Sequence, residues 1–356
     1  TRKGDGYRIM NYDWQKFLKT LGAEITADGV SKFPQPASSD CTLFGLAHLG
    51  IVAVDGQDAD DFLQGQLSND VRELTETHSQ LSSHCSAKGR MLASFRAIRR
   101  NNIIYLQMPR QTMPSLVKRL SMFKLRAQVE LSDAGDKLVG MGLVGACAVR
   151  LLNDHVGQTP ELENDATLHG DITLIRMPGS TPRFQILGPV AVLSDLWKRL
   201  AAGGAVPANT ERWDLLDIQA GVPTVYPSTA EAFVPQMANM QLVDGVSFTK
   251  GCYTGQEVVA RMQYLGKLKR RMYRAEVATD RCPLPGDELF SGASESGQGA
   301  GKVVASAPSG DGLCEMLAVV EIAAAEQGDV RLGTAGPALE FRELPYAFPE
   351  PQATSS

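Results

Sequence analysis

The side chains best equipped for chemistry are crowded between Phe248 and Arg261. There the chain reads Phe-Thr-Lys-Gly-Cys-Tyr-Thr-Gly-Gln-Glu-Val-Val-Ala-Arg. Lys250, Cys252, Tyr253, Gln256 and Glu257 place a cation, a thiol, a phenol, an amide and a carboxylate within eight positions. The stretch from Gln256 to Arg261 reads as a helix start, whose free N–H groups favour an anion or polarise a thiol. A thiol two residues from an ammonium at such a turn suits a nucleophile, a redox group or a metal ligand. Gly251 and Gly255 allow positive φ or close approach to a ligand. The same residues also fit a tight loop whose thiol packs as a small hydrophobe.

Charge is unevenly distributed. Between Thr77 and Val129 there is no Asp or Glu, yet there are ten basic residues: Lys88, Arg90, Arg96, Arg99, Arg100, Arg110, Lys118, Arg119, Lys124 and Arg126. A second cluster, Arg261 to Arg274, holds six basic residues and no acid. Such an excess attracts an anion: a carboxylate-bearing small molecule, a phosphate or RNA. Acids brought in from elsewhere by the fold would instead make these ordinary solvated faces. The first stretch contains only Phe95, Tyr105 and Phe123 as aromatics, which is poor support for base stacking.

The positioning elements follow from hydrophobic spacing. Trp14, Phe17, Leu18 and Leu21 recur at helical intervals before Gly22, and Phe33 to Ser39 reads as a linker. Leu49 to Val54 reads as a strand, with Asp58 capping a helix that carries Phe62, Leu63 and Leu67. Met91–Ile98 and Ile103–Met108 form a strand pair across Arg100-Asn101-Asn102, followed by a helix from Pro114. Ile172–Met177, Arg183–Leu187 and a helix carrying Leu193, Leu196, Trp197 and Leu200 give the same unit again. The two helices share a Lys-Arg-Leu ending (118–120, 198–200), by relationship or by chance. After Arg274, short β-like runs between Gly, Pro and Ser turns predict a small antiparallel barrel or sandwich.

Composition removes several classes. The chain has 356 residues, 43% apolar, with a net charge of −5, so it is no generally polybasic binder. Its longest nearly uncharged apolar run, Leu138 to Val149, falls short of the roughly 20 residues a membrane span needs. The N-terminal stretch has no apolar core of a secretory signal. Six Cys without a CxxC pair exclude zinc-ribbon and thioredoxin spacings and make a reducing cytoplasm the simplest home. Five His without HExxH or HxH leave little for a metal site.

The Lys250–Glu257 segment with Arg261 resembles the signature of the YgfZ family of folate-binding proteins. These are relatives of the glycine-cleavage aminomethyltransferase, the T-protein. Phe62–Val71, His84–Arg90, and Ala220–Pro223 leading into Phe233–Gln236 agree in the family's order, as does Leu344-Pro-Tyr346. The resemblance covers about residues 42–348 and implies an α+β, aminomethyltransferase-like (GcvT-like) fold. It would have three domains around a central channel and a C-terminal antiparallel β-barrel. The expected division is an extension and linker at 1–40, folate-binding α+β domains at 41–130 and 131–268, and the barrel at 269–350.

The resemblance further implies a cytoplasmic accessory factor that binds tetrahydrofolate or another folate. It would act in iron–sulfur cluster assembly or repair, supporting tRNA methylthiolation and other cluster enzymes. Partners would be iron–sulfur proteins or assembly factors, with a tRNA contact through the basic surfaces and no membrane. Cys252 would be the reactive or cluster-contacting group, within a signature loop of Lys250, Gly251, Tyr253, Gly255, Gln256, Glu257 and Arg261. Trp213 matches a tryptophan used against folate. A second family tryptophan falls at Leu49, and a pterin-binding glutamate falls at Gln219. The aminomethyltransferase acidic pair after Gly89-Arg90 is replaced by Met91-Leu-Ala-Ser-Phe95, which removes the carboxylate that assists methylene transfer. A one-carbon transferase and a direct tRNA-binding module are the alternatives.

Overall fold

Asn101 and Asn102 both sit in the left-handed region, with φ of 50° and 62°. That is the backbone a two-residue hairpin turn requires, and Asn tolerates it. The turn joins strands Met91–Arg100 and Ile103–Pro109. The computed structural model describes residues 11–34, 39–264, 266, 268–294 and 299–348.

The hairpin is the middle of a five-stranded antiparallel sheet. Its order is Gln80–Cys85, Met91–Arg100, Ile103–Pro109, Leu49–Asp55, Glu130–Asp133. Helices Ala59–Gln64 and Met113–Phe123 bury Phe62, Leu63, Leu116, Val117 and Leu120 against one face of it. The second sheet runs Ala166–His169, Ile172–Arg176, Arg183–Gly188, Val139–Gly145, Cys41–Gly45, Val206–Pro207. Helices Tyr12–Thr20, Ala148–His155 and Val190–Ala202 cover it with Trp14, Leu18, Leu151, Leu193 and Trp197.

The element order strand, helix, three strands, helix, strand occurs twice, over 49–133 and 139–207. The sheets also share their strand order, apart from the added Cys41–Gly45 strand. Sequence division placed that strand with the first unit; here it pairs within the second sheet. Cys41 and Leu43 face the helices of the second sheet, while Phe44 faces the first sheet, so the strand is buried on both sides.

The free faces of the two sheets meet each other. Phe44, Val144, Ile175 and Leu187 pack with Ile51, Ile98 and Tyr105, and Trp213 closes this layer from helix Thr210–Gln219. The third sheet is antiparallel and curled, in the order Arg331–Leu332, Glu288–Phe290, Gly301–Gly310, Leu313–Glu321, Arg270–Ala278, Glu340–Arg342. Its Val304, Leu317 and Val319 pack on Met91, Ile218, Phe233 and Val259.

Two local expectations change. Asp58 does not cap its helix; its carboxylate accepts from the Gln128 N–H at 2.7 Å. Cys41–Cys147 and Cys282–Cys314 are disulfides, across 106 and 32 residues. Sparse Cys usage therefore no longer argues for a reducing compartment. Among the described residues, no helix is long and apolar enough to cross a membrane.

Gly142 lies against the six-membered ring of Trp213, where a Cβ would strike ring carbons. Gly142→Ala is expected to lower the unfolding free energy by about 1–3 kcal/mol in urea titrations, the usual cost of overpacking a filled core.

Candidate functional site

The signature loop is held by its lysine. Lys250 is 7% exposed. Its Nζ donates to the carbonyls of Leu67 (2.7 Å) and Asn69 (2.8 Å) and lies 5.2 Å from the centre of the Tyr253 ring. Burial lowers the Lys250 pKa to about 8; Asp70 opposes the shift and Arg72 adds to it. A buried ammonium needs such partners, because a charge removed from water without them is costly.

Further bonds stitch the loop to the first unit. The Thr254 N–H donates to Gly65 O at 3.3 Å, and the Ser247 N–H donates to Ser68 O at 2.9 Å. Asn69 Nδ2 donates to Asp244 O at 2.6 Å and to Leu81 O at 3.0 Å. Gly255 has a φ of +84°, and a Cβ there would strike the Ser86 carbonyl oxygen. Gly89, at φ +68°, packs in turn against Val258. Gly255 thus uses the freedom expected of it. Gly251 does not: its φ is not positive and nothing crowds its missing Cβ.

Three motif segments that are distant in sequence therefore form one surface: 62–71, 84–90 and 250–261. Cys252 stands on it as a free, exposed thiol. Tyr253 is buried beneath, and burial raises its phenol pKa. Cys85, the other free cysteine, is buried, and its thiol is pushed up to about 12. A thiol held that high stays protonated and inert, which leaves Cys252 as the accessible nucleophile of the pair. Gln256 begins helix Gln256–Tyr264, from which Glu257 and Arg261 project exposed.

Trp213 and Leu49 lie at a different place, Trp213 within the layer between the two sheets and Leu49 packed against that layer. Trp213 is 1% exposed. The Arg183 guanidinium lies 5.0 Å from its ring centre and Phe44 lies 5.6 Å away. With Gly142 also against it, the indole has no free face for a ligand. Gln219, at the end of the same helix, donates to Glu315 Oε1 at 2.9 Å and ties the helix to the third sheet.

Sequence reading missed the polar core of this second cluster. Arg183 is 1% exposed. Its Nη2 donates to Pro178 O at 2.8 Å and pairs with Asp217 Oδ1 at 2.8 Å. Its Nε and Nη1 are buried without a partner. Arg96 joins from the first sheet, donating through Nη1 to Ser79 Oγ and Asn164 Oδ1, both at 2.8 Å. Burial lowers the Arg96 pKa to about 10; Asp217 and Glu163 resist this and Arg183 adds to it. Two buried guanidiniums thus share this region with the carboxylates of Asp217 and Glu163, and Arg183 keeps two nitrogens without a partner. The available signal was an arginine opening the largely apolar strand Arg183–Gly188.

No family model matches the chain. It is 31% identical over 311 residues to the tRNA-modifying protein YgfZ of Colwellia psychrerythraea strain 34H, covering 86% of this chain and 93% of that one. It is 32% identical over 322 residues to the tRNA-modifying protein YgfZ of Sodalis glossinidius, covering 90% and 97%. The chain belongs to the YgfZ family of tRNA-modifying proteins. Its fold matches the crystal structure of the glycine cleavage system aminomethyltransferase T from Bartonella henselae with a TM-score of 0.71 and 18% identity, over 95% of this chain and 98% of that one. The GcvT-like α+β fold with a curled C-terminal antiparallel sheet is therefore established. The shared fold carries no residue roles across.

The Lys250 shift has a sign that can be checked. Its pKa is about 8 when folded against 10.5 when exposed. The unfolded chain thus binds more protons between those values, so this group's contribution to stability rises as pH increases from about 8. Relative to Lys250→Met, the wild type should gain up to about 3 kcal/mol between pH 7 and pH 10.5 in urea unfolding. Parallel curves for the two proteins would place the ammonium in solvent.

Proposed function

We propose that the protein is a tetrahydrofolate-binding accessory factor in iron–sulfur cluster assembly or repair, supporting tRNA modification. The observation that carries the folate part is the Arg183 guanidinium, buried on Trp213 and paired with Asp217 through Nη2 while its Nε and Nη1 keep no partner. A folate has carboxylates and ring carbonyl groups to accept from Arg183 and ring N–H groups to donate to Asp217. Asp217 is 27% exposed and so keeps a route to solvent. In this arrangement Trp213 holds Arg183 in place, and Arg183 meets the ligand. Leu49 contributes apolar wall, while Gln219 spends its amide on Glu315 and serves the fold.

The accessory role rests on the signature loop. Cys252 offers one exposed thiol on a rigid support. Among the described residues no three His, Cys, Asp or Glu side chains converge as a metal site. A cluster passing through is cargo here, and the delivering and receiving proteins supply its other ligands. Catalytic aminomethyl transfer is disfavoured at Met91–Phe95. Ala93 is buried, and Ser94 Oγ is occupied by Pro223 O and the Val225 N–H. No carboxylate stands there to assist methylene transfer. A cytoplasmic location belongs to the same proposal and rests on the cluster and tRNA chemistry.

Calorimetric titration with tetrahydrofolate tests the folate part. The wild type should bind saturably. Arg183→Met should weaken binding at least roughly tenfold, the cost of a lost hydrogen bond to a charged group. Thermal melts confirm that the variant is folded. Absence of saturable binding at millimolar folate, or equal affinity in folded Arg183→Met, would overturn the assignment.

A further inference from the structure

A second polar pair lies one helical turn from the Arg183–Asp217 contact. Helix Thr210–Gln219 carries Asp214 and Asp217 at a spacing of three, which puts both carboxylates on one face. Asp217 holds Arg183, and Asp214 holds His48, whose Nε2 lies 3.3 Å from Asp214 Oδ1. Burial pushes the Tyr226 phenol pKa up and both carboxylates add to the shift, so they face a common neighbour. His48 stands on the turn between strands Cys41–Gly45 and Leu49–Asp55. Its carbonyl accepts the Arg110 N–H at 3.0 Å, which pins the turn. The next residue, Leu49, packs against the layer that contains Trp213.

The imidazole of His48 is not satisfied by the fold. Both ring nitrogens are buried, and neither makes a hydrogen bond among the described residues. The approach to Asp214 is an ion-pair distance without hydrogen-bond alignment. Buried polar atoms are almost always paired, so one left this way points to a partner outside the chain. In the neutral imidazole, a carboxylate beside Nε2 favours the proton on that nitrogen and leaves a lone pair on Nδ1. Nδ1 is then an acceptor without a donor. Arg183, across the same helix face, has donors without acceptors at Nε and Nη1. Asp214 is 30% exposed and Asp217 27%, so this edge of the layer opens to solvent.

We propose that His48 selects the oxidation state of the bound folate, its Nδ1 accepting a pterin N–H that only reduced folates carry. The inference rests on the folate reading of the Arg183 site and assigns the form of folate that site takes. The discrimination lies in the pterin ring. Tetrahydrofolate has N–H groups at ring positions N5 and N8, where folic acid has lone pairs. The Nδ1 lone pair attracts the first and repels the second. A site built to pair with an N–H rejects the analogue that lacks it, because buried polar atoms are then left unmatched. Asp214 acts through His48, by fixing which nitrogen bears the proton, and is a positioning residue.

Calorimetric titration of the full chain with tetrahydrofolate and with folic acid, at about pH 8 and with oxygen excluded, reads the selection. Wild type should bind tetrahydrofolate at least about tenfold tighter than folic acid. In His48→Leu and His48→Phe the ratio should fall to within about twofold, through weaker tetrahydrofolate binding with folic acid little changed. Thermal melts establish which variants are folded, and the wild-type ratio needs no variant at all. Equal wild-type affinity for the two folates would overturn the proposal and leave Arg183 as the folate anchor. A wild-type ratio retained in a folded variant would overturn it too. So would an equal loss for both folates, which would make His48 a part of the fold only. Failure of wild type to bind either folate is a distinct result, and it removes the folate reading together with this one.

Discussion

An ammonium taken out of water and given two backbone carbonyls fixes the geometry of the candidate site. Lys250 could satisfy its charge in solvent; the fold instead places it under the loop, on Leu67 and Asn69. Burying an ion without partners costs several kcal/mol, so the segment supplying those carbonyls must be held as firmly as the loop. It is. Ser68 Oγ donates to Gly245 O, the Ser83 N–H donates to Ser68 Oγ, and Asn69 bonds to both Asp244 and Leu81. The exposed thiol of Cys252 therefore rests on a closed polar network, although it sits in a loop.

The second constraint lies where the duplicated halves meet. Two sheets of the same strand order turn their free faces toward each other, and an apolar layer fills most of the gap. Guanidiniums remain at its edge. Arg183 is supported by Trp213 and Asp217, and Arg96 by Ser79 and Asn164. An internal duplication supplies such a junction without a specialised element, because neither half alone encloses it. Helix Thr210–Gln219 then couples the junction to the third sheet through Gln219 and Glu315.

Local chemistry was legible in the sequence, and long-range pairing was not. The Asn101-Asn102 turn, the Pro114 helix start and the helix at Gln256 follow from backbone preferences that act over a few residues. The signature loop was legible because its polar groups are adjacent in the chain. Arg183 and Asp217 were not, since their relation spans 34 residues and only the packed Trp213 brings them together. The Cys41–Gly45 strand pairs across nearly a hundred residues with Val139–Gly145. The disulfides are equally non-local. Asp58 looked like a helix cap until Gln128 arrived from a distant turn to take its carboxylate. Trp213 was legible as important, while the neighbours that cover its ring, Arg183, Phe44 and Gly142, come from distant strands and were not.

The most direct test of the loop as the working site is mass spectrometry of methylthiolated tRNA. The cells would lack their own family member and express either wild type or Cys252→Ala at matched levels. If the thiol on its Lys250 support is what the protein contributes, wild type restores the modification, and the folded Cys252→Ala protein leaves it low. Full restoration by Cys252→Ala would contradict that role and move the functional centre to the Arg183 junction.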